Sequence, residues 1–400
     1  MTKTLAALAT PEAIRERCTV LLALAERGDL ANFRLVLEKL EHTADLVAGV
    51  TRQNYPNLRI PLHSRWRHFA VAGHDLWAER LARNPDLTGP ARARSEFELA
   101  IVSVLLAAGA GAAWRYQDHE TGFDAGRSEG LALASLRLFE AGGLSNHPDS
   151  EPLRADTAAL SALTAADLGR AFQVSETNPL VGLAGRAALL NALGRAVGAR
   201  WSRLGELYDQ LAAVAVDGCL PARSILVAVL DAFNAIWPSG LVVNEVALGD
   251  VGRHAQADGE GASAGLVPFH KLSQWLSYSL IEPLQWAGLT VTDLDGLTGL
   301  AEYRNGGLFI DTGVLVPRDA AALDAAWPAD SELVVEWRAL TVALLDRLAP
   351  LVRQRLGLGP DQLPLAAVLQ GGSWAAGRRL AEEKRGGQPP IAVDSDGTLF

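Results

Sequence analysis

The sequence predicts a mainly α-helical protein with a few short strands in its C-terminal half. Leucine, isoleucine, valine and alanine recur at three- and four-residue spacing over most of the chain, which is typical of amphipathic helices. Short β-branched runs with scattered glycines occur after Trp237 and indicate strands or loops. No internal repeat or linker divides the 400 residues, so one α-rich domain over 1–400 is the simplest organisation.

The N-terminal half reads as helices separated by loops rich in proline, glycine and asparagine. The first helix is predicted over 11–50, and Pro56 and Pro61 mark the irregular segment that follows it. Further helical patterns cover 74–84, 94–118, 127–141, 165–173, 180–216 and 221–236.

The sequence changes character after Trp237. Short strands or loops are predicted over 237–268 with a mobile tip at 258–264, then an amphipathic helix, then an irregular or hairpin segment over 297–318. Helices are predicted at 269–287, 319–328, 331–357 and 361–385, and the terminal IAVDSDGTLF is expected to dock as a strand. The alternative to one domain is a helical half, 1–236, joined to an α+β half, 237–400.

Charge and cysteine content disfavour several function classes. The formal net charge is −10, from 46 acidic and 36 basic residues, so non-specific binding to nucleic acid or an anionic membrane is not expected. The longest uncharged apolar run, 99–114, is too short to span a bilayer. Cys18 and Cys219 are too few for a disulfide framework, and no signal-peptide core precedes them. We therefore expect a cytoplasmic protein.

Two segments of the N-terminal half are candidates for anion binding. His63 and Arg65 lie in PLHSRWRHF (61–69), where forked arginine donors stand beside aromatic residues; an exposed basic segment is the alternative. Arg127 and Glu129 open the next candidate helix. Ser128 and Glu129 fit an ordinary helix start, but a cation there is unfavourable unless it meets an anion, so we expect a phosphate at this turn.

The densest group of polar residues lies in the C-terminal half. His270, Ser273, Gln274, Ser277 and Tyr278 share one stripe of the 269–287 helix, and Lys271 begins the adjacent face. A stripe with so little ordinary surface charge is typical of a cavity lining.

Four carboxylates follow within 19 residues: Asp293, Asp295, Glu302 and Asp311. They alternate with apolar residues and stand near Tyr303, Arg304 and Asn305. A solvated loop is the alternative, but such loops seldom carry so much apolar surface. No dinucleotide, Walker, HExxH or GxSxG motif is present, and the eight histidines show no strong metal spacing, so neither a cofactor nor a metal is expected.

Eight segments in the same order resemble a known family from about residue 50 to the C-terminus. They are PLHSRWRHF, RSEGL, NPLVGLAGR, LGDVGRH, PFHKLSQWLSYSLIEPLQ, EYRNGGLFID, GGSWAAGR and SDGTLF. The chain resembles the uracil-catabolism family that includes the fourth protein of the fungal URC pathway and its bacterial relatives. A fainter similarity links Glu302-Tyr303-Arg304 to the Asp-Tyr-Arg motif of queuosine-nucleotide glycohydrolases, and it implies a helical, DNA-glycosylase-like core.

The resemblance implies an enzyme of uracil catabolism that hydrolyses the N-glycosidic bond of a ribosylurea, with or without a 5′-phosphate, and releases urea. Asp293 or Asp295 would stabilise the sugar cation or activate water, and Glu302 would hold the ribose hydroxyls. The substrate-binding residues would be Arg127, Lys271 and Arg304 for a phosphate, His270, Gln274 and Asn305 for the urea end, and His63, Arg65, Glu129, Tyr303 and Asp311 around them.

Two alternatives stay open. The protein would be an amide or ureide hydrolase of the same pathway, or a non-catalytic partner that binds the ring-opened intermediate. The expected partners are a nucleoside- or nucleotide-derived small molecule, and pathway enzymes or a second copy of the chain. We expect the site in a pocket between the two halves, with acid–base groups from the C-terminal half.

Overall fold

A computed structural model describes residues 3–394. Helices hold 54% of the residues and strands 12%, which confirms the predicted mainly α class. The helices are α1 (Lys3–Ala6), α2 (Pro11–Arg27), α3 (Lys39–Asn54), α4 (Leu76–Ala82), α5 (Gly89–Leu105), α6 (Arg127–Glu140), α7 (Thr157–Ala162), α8 (Ala165–Ala171), α9 (Leu183–Gly198), α10 (Glu206–Val214), α11 (Ala222–Phe233), α12 (Lys271–Trp286), α13 (Tyr303–Asp311), α14 (Glu332–Leu356), α15 (Leu365–Val368) and α16 (Trp374–Arg385).

The strands are short and pair two by two. They are β1 (Phe33–Leu35), β2 (Ala70–Val71), β3 (His74–Asp75), β4 (Arg115–Gln117), β5 (Asp124–Gly126), β6 (Cys219–Pro221), β7 (Leu241–Val243), β8 (Val246–Gly249), β9 (Val251–Arg253), β10 (Leu266–Pro268), β11 (Thr290–Thr292), β12 (Leu315–Pro317), β13 (Ala326–Pro328) and β14 (Ala392–Asp394). The pairs β6–β11 and β13–β14 are parallel, and the other five pairs are antiparallel. Strands therefore also occur in the N-terminal half, where none was predicted.

Several predicted segments were wrong in part. The predicted helix 94–118 ends at Leu105 and is followed by β4, and the predicted helix 180–216 is divided into α9 and α10. The predicted helix 11–50 is broken after α2, because Gly28 turns into the left-handed region at φ +79 and β1 then pairs with β12. The predicted irregular segment 297–318 contains the helix α13. Glycine disfavours a helix, but a Cβ at Gly306 would lie 2.7 Å from the Trp337 ring, so packing requires glycine there.

The predicted helix 319–328 was also wrong. A short 3-10 turn, Ala320–Leu323, and strand β13 replace it, and β13 pairs with β14 near the C-terminus. The predicted terminal strand is confirmed over Ala392–Asp394, and residues 395–400 of that prediction lie outside the described residues.

The chain divides into two compact units. The first contains the described residues of Met1–His63, Leu241–Gln274 and Asp293–Ser395. The second contains Ser64–Gly240 and Trp275–Thr292. The halves 1–236 and 237–400 and the DNA-glycosylase-like core stay predictions.

In the first unit the core is built around α14, a helix of 25 residues that begins at the Ser331 cap and ends at Gly357. Helices α2, α3 and α13 pack against it. The facing residues Leu21, Val47 and Leu340 are completely buried, and each such side chain contributes about 1.5–3 kcal/mol.

A smaller apolar cluster of the first unit fixes the β8–β10 segment. Leu5 and Leu8 pack with Leu248, Val251 and Leu266, all nearly inaccessible. Leu248 of β8 and Val251 of β9 therefore hold the turn between these strands, which contains Asp250.

In the second unit α5 packs against α6, α9 and α10, and α7 packs along α9. The α5 residues from Phe97 to Leu105 are buried on all sides, and the helix ends before the apolar run 99–114 does. No helix among the described residues is long and apolar enough to cross a membrane.

Candidate active site

A buried ion pair forms the base of a polar cluster in the first unit. The two Nη atoms of Arg338 donate to the carboxylate of Asp250 at 2.8 and 2.7 Å, and each side chain is only 5% exposed. The Arg338 guanidinium also lies 4.1 Å from the centre of the Phe269 ring. Burial acts to raise the pKa of Asp250, but the charge and hydrogen bonds of Arg338 outweigh it and hold that pKa below its ordinary value.

Asp250 also fixes the beginning of α12. It follows Gly249, whose φ of +68 makes the turn between β8 and β9. Its carbonyl accepts the N–H groups of Phe269 and His270, and its carboxylate accepts the Lys271 N–H at 2.8 Å. The first residues of α12 are therefore held directly beside the ion pair.

Lys271 and Glu302 are the two ionisable groups of this cluster that keep partial exposure. Burial lowers the pKa of Lys271 to about 8, with help from the positive charge of Arg338, while the charges of Asp250 and Glu302 oppose the shift. Burial raises the pKa of Glu302, and the N–H groups of Arg304 and Asn305 oppose that rise. The two shifts bring the pKa values of Lys271 and Glu302 closer together, as proton transfer by such groups near neutral pH requires.

Glu302 is positioned as the N-cap of α13. Its carboxylate accepts the Arg304 N–H at 2.7 Å and the Asn305 N–H at 2.6 Å. Because both partners are backbone groups at a helix N-terminus, the carboxylate is oriented without being neutralised by a side-chain cation.

Two buried amide side chains complete the cluster. Gln274 donates through Nε2 to the Thr298 hydroxyl at 2.7 Å, and Asn305 accepts from the Ser373 hydroxyl at 2.8 Å. Within the described part of the chain, Oε1 of Gln274 and Nδ2 of Asn305 have no hydrogen-bond partner. The cluster therefore contains one acceptor and one donor without partners, in addition to Lys271 and Glu302.

The predicted stripe of α12 is confirmed as buried, since the exposures of His270, Ser273, Gln274, Ser277 and Tyr278 do not exceed 3%. His270 sits at φ +47, and its Nε2 lies 3.1 Å from the Leu8 carbonyl, so it carries the proton on that nitrogen. Burial lowers the pKa of His270, which favours a neutral ring.

The other carboxylates predicted for the site lie apart from this cluster. Asp293 is exposed and adopts φ +51. The carboxylate of Asp295 pairs with Arg353 at 2.5 Å and accepts the Leu365 N–H at 2.7 Å, so it caps α15. These placements do not favour the catalytic role predicted for the two aspartates; Glu302 has the better placement for it.

Asp311 stands at the far end of α13 from Glu302. Both of its oxygens accept from Arg385, at 2.8 and 2.6 Å, and the ion pair joins α13 to α16. Arg304 donates to the Gly387 carbonyl and lies 4.8 Å from the Tyr303 ring, which is 39% exposed. These contacts are structural in character, and substrate contacts for Asp311, Arg304 and Tyr303 stay predictions.

His63 lies in the first unit and contacts Gln370 and Trp374. Its Nδ1 lies 2.9 Å from Oε1 of Gln370, and its ring centre lies 5.8 Å from that of Trp374. Burial lowers the pKa of His63 to about 4, so the ring is neutral near pH 7. It could form a hydrogen bond with an anion but would not attract it by charge.

The remaining predicted residues belong to the second unit. Arg65 is completely buried, Arg127 is exposed at the first position of α6, and Glu129 is half-buried in the same turn. Gly126, and not Ser128, is the N-cap of α6.

The sequence prediction missed Asp250 and Arg338. A usable signal was present, because Glu336 and Arg338 are the only charged residues between Leu333 and Leu345, in a helix that is otherwise apolar there. Buried charges are paired, so this pattern predicts acidic and basic partners elsewhere in the chain. Residues 3–394 contain no group of three or more histidine, cysteine, aspartate or glutamate side chains arranged to hold a metal ion.

The fold and the site define a mainly helical protein in which Lys271 and Glu302, both with shifted pKa values, accompany a buried Asp250–Arg338 ion pair. The model of the family DUF1688, described as a protein of unknown function, matches residues 7–400, and the chain belongs to that family. The chain is 37% identical to Protein urg3 of Schizosaccharomyces pombe, over 100% of both sequences. It is 35% identical to Uracil catabolism protein 4 of Lachancea kluyveri, over 93% of both.

Proposed function

We propose that this protein is an enzyme of uracil catabolism that hydrolyses the N-glycosidic bond of a ribosylurea and releases urea. The similarity to Uracil catabolism protein 4 of Lachancea kluyveri supports the pathway. The chemistry of the first-unit cluster supports the reaction, because N-glycoside hydrolysis needs a carboxylate near the anomeric carbon and an acid for the leaving group, without a cofactor.

The observation that carries the proposal is the pair of open amide atoms. Urea has N–H donors and a carbonyl acceptor in one plane. Oε1 of Gln274 accepts from the former and Nδ2 of Asn305 donates to the latter. The Thr298 hydroxyl donates its proton to the Gly299 carbonyl, so toward Gln274 it acts as an acceptor. Gln274 therefore uses its Nε2 in this hydrogen bond, and its Oε1 is left without a partner. Buried polar atoms without partners are rare in native proteins, and a ligand of matching polarity is a physical reason for them.

The reaction follows from the two ionisable groups. Lys271, with its lowered pKa, gives a proton to the urea nitrogen as the bond from that nitrogen to C1 of the sugar breaks. Glu302 stabilises the resulting sugar cation and takes a proton from the water whose oxygen bonds to C1. The products are urea and the free sugar, and every proton is accounted for by the two side chains and the water.

Asp250 and Arg338 act through Lys271 and do not touch substrate. The Asp250 carboxylate holds the Lys271 backbone, and the positive charge of Arg338 helps to lower the pKa of the amine. They are positioning residues for the acid.

The test compares two isosteric carboxylate variants in a urea-release assay with ribosylurea and its 5′-phosphate. Glu302→Gln keeps the size of the side chain and should lower kcat about 10²–10⁴-fold, the usual contribution of a general acid or base. Asp293→Asn is the matched control and should turn over like the unchanged protein, since Asp293 is exposed. Full activity in the Glu302 variant, or loss of activity only in the Asp293 variant, would remove Glu302 from the mechanism.

A further inference from the structure

The second unit contains a buried arginine, Arg65, that forms no ion pair with a carboxylate of the described residues. Arg65 is 0% exposed and lies in a 3-10 turn, Arg65–Phe69. Its Nε donates to the Ser103 hydroxyl at 2.7 Å, and Nη1 donates to the carbonyl and hydroxyl of Ser128 at 3.2 and 3.3 Å. Over residues 3–394, Nη2 has no hydrogen-bond partner and no carboxylate forms an ion pair with Arg65.

Two other buried arginines show how this chain usually compensates such a charge. Arg186, also 0% exposed, donates to four backbone carbonyls, among them those of Leu106 and Ala108 near the end of α5. Arg338 is paired with Asp250. Arg65 instead donates to one carbonyl and two hydroxyls. These neutral acceptors compensate the charge of a buried cation only weakly.

The Arg65 guanidinium lies beside the beginning of α6. Both groups that accept from Nη1 belong to Ser128, in the first turn of this 14-residue helix. Gly126 caps the helix without a side-chain hydrogen bond. The guanidinium therefore lies next to a helix N-terminus whose dipole favours negative charge.

The surroundings of Arg65 fit an anion. The Trp275 ring centre lies 5.5 Å from the guanidinium carbon and shields that face from water. Burial lowers the pKa of Arg65 to about 9; the charge of Glu129 opposes that shift, and the charge of Arg186 adds to it. Glu129 therefore supplies negative charge near Arg65.

We infer that Arg65 and the N-terminal turn of α6 bind a phosphate group, either free or carried on a sugar. Four tetrahedral oxygens can accept from Nη2 and from successive backbone N–H groups at once, and the double charge offsets the buried guanidinium. The inference concerns the second unit alone and does not depend on the reaction proposed for the first.

Thermal unfolding tests the inference without an activity assay. The protein is heated in chloride and in inorganic phosphate at equal ionic strength, and separately with ribose 5-phosphate. Binding to the native state raises Tm in proportion to the logarithm of ligand concentration above Kd. A rise with both ligands means that the phosphate group alone is recognised, and a rise only with the sugar phosphate identifies that source. Equal Tm values in all solutions would overturn the inference.

Variants then locate the site. Arg65→Met should abolish the phosphate-dependent rise in Tm, whereas Arg186→Met, which removes a buried arginine with a full set of carbonyl partners, should lower Tm but keep that rise. Glu129→Gln removes a negative charge from the same turn and should tighten phosphate binding about threefold.

The Glu129 variant keeps the test decisive if Arg65→Met does not fold. Unchanged phosphate affinity in Glu129→Gln, measured by titration calorimetry, would place the phosphate elsewhere and contradict the assignment.

Discussion

Removing the charge of Asp250 should destabilise the first unit strongly. Asp250→Asn keeps the shape of the side chain but leaves the Arg338 guanidinium, 5% exposed, without its counter-ion. Breaking a buried pair in this way costs about 3–5 kcal/mol. The lower end applies, because Nε of Arg338 keeps its bond to the Ala301 carbonyl and the guanidinium stays over Phe269. We expect a loss of about 3 kcal/mol in the free energy of unfolding.

Denaturant unfolding followed by tryptophan fluorescence measures this loss, and a double variant identifies its cause. Asp250→Asn with Arg338→Met removes both charges and should recover much of the stability, because no unpaired cation is left. Asp29→Asn is the control for an exposed pair: Asp29 is 2.9 Å from Arg27, both are at least half exposed, and the loss should stay below about 1 kcal/mol. Equal losses in the Asp250 and Asp29 variants would refute the account of the buried pair.

Three further predictions follow from single residues. Because the folded-state pKa of His63 is lowered to about 4, stability should fall by about 3 kcal/mol as pH drops from 6.5 to 4; a His63→Gln variant with the same pH profile in denaturant melts would contradict this. Asp295→Asn should lower stability by about 1–2 kcal/mol, through the lost Arg353 pair and helix cap, yet keep catalytic activity; a normal Tm with lost turnover would contradict it. Cys219 is exposed while burial raises the pKa of the Cys18 thiol, so a thiol reagent should label one cysteine in the native protein and two after denaturation.

The helical class and the polar stripe of α12 could be predicted from local pattern. The period of the apolar residues fixes which face of a helix is buried. The stripe of His270, Ser273, Gln274, Ser277 and Tyr278 contains no Lys, Arg, Asp or Glu, which indicated that this face is enclosed. Lys271, Glu302 and Asn305 were identified for the same reason: polar residues interleaved with large apolar ones seldom belong to solvated loops.

The partners of those residues could not be predicted, because they depend on tertiary contacts. Asp250 meets Arg338 across 88 positions of sequence, and Asp295 meets Arg353 across 58. Sequence position alone placed Asp293, Asp295 and Glu302 in one group of candidate site carboxylates. The fold separates them, since Asp293 is left exposed, Asp295 becomes a helix cap with a cation, and Glu302 caps α13 beside Lys271.

The helix α13 shows how local rules fail for a physical reason. Two consecutive glycines ordinarily indicate a turn, because each disfavours a helix by about 1 kcal/mol relative to alanine. In the structure Gly306 faces the Trp337 ring and Gly307 faces Pro390, with no space for a larger side chain at Gly306. Close packing of helices, which sequence pattern does not reveal, overrides the propensity.

Product analysis tests the central claim most directly. The unchanged protein is incubated with ribosylurea and with ribosylurea 5′-phosphate, and urea, ammonia and the free sugar are quantified over time. N-glycosidic hydrolysis predicts urea and sugar in equal amounts, with no ammonia, and a rate that collapses in Glu302→Gln. Ammonia in place of urea, or no product from either compound, would contradict the proposed reaction.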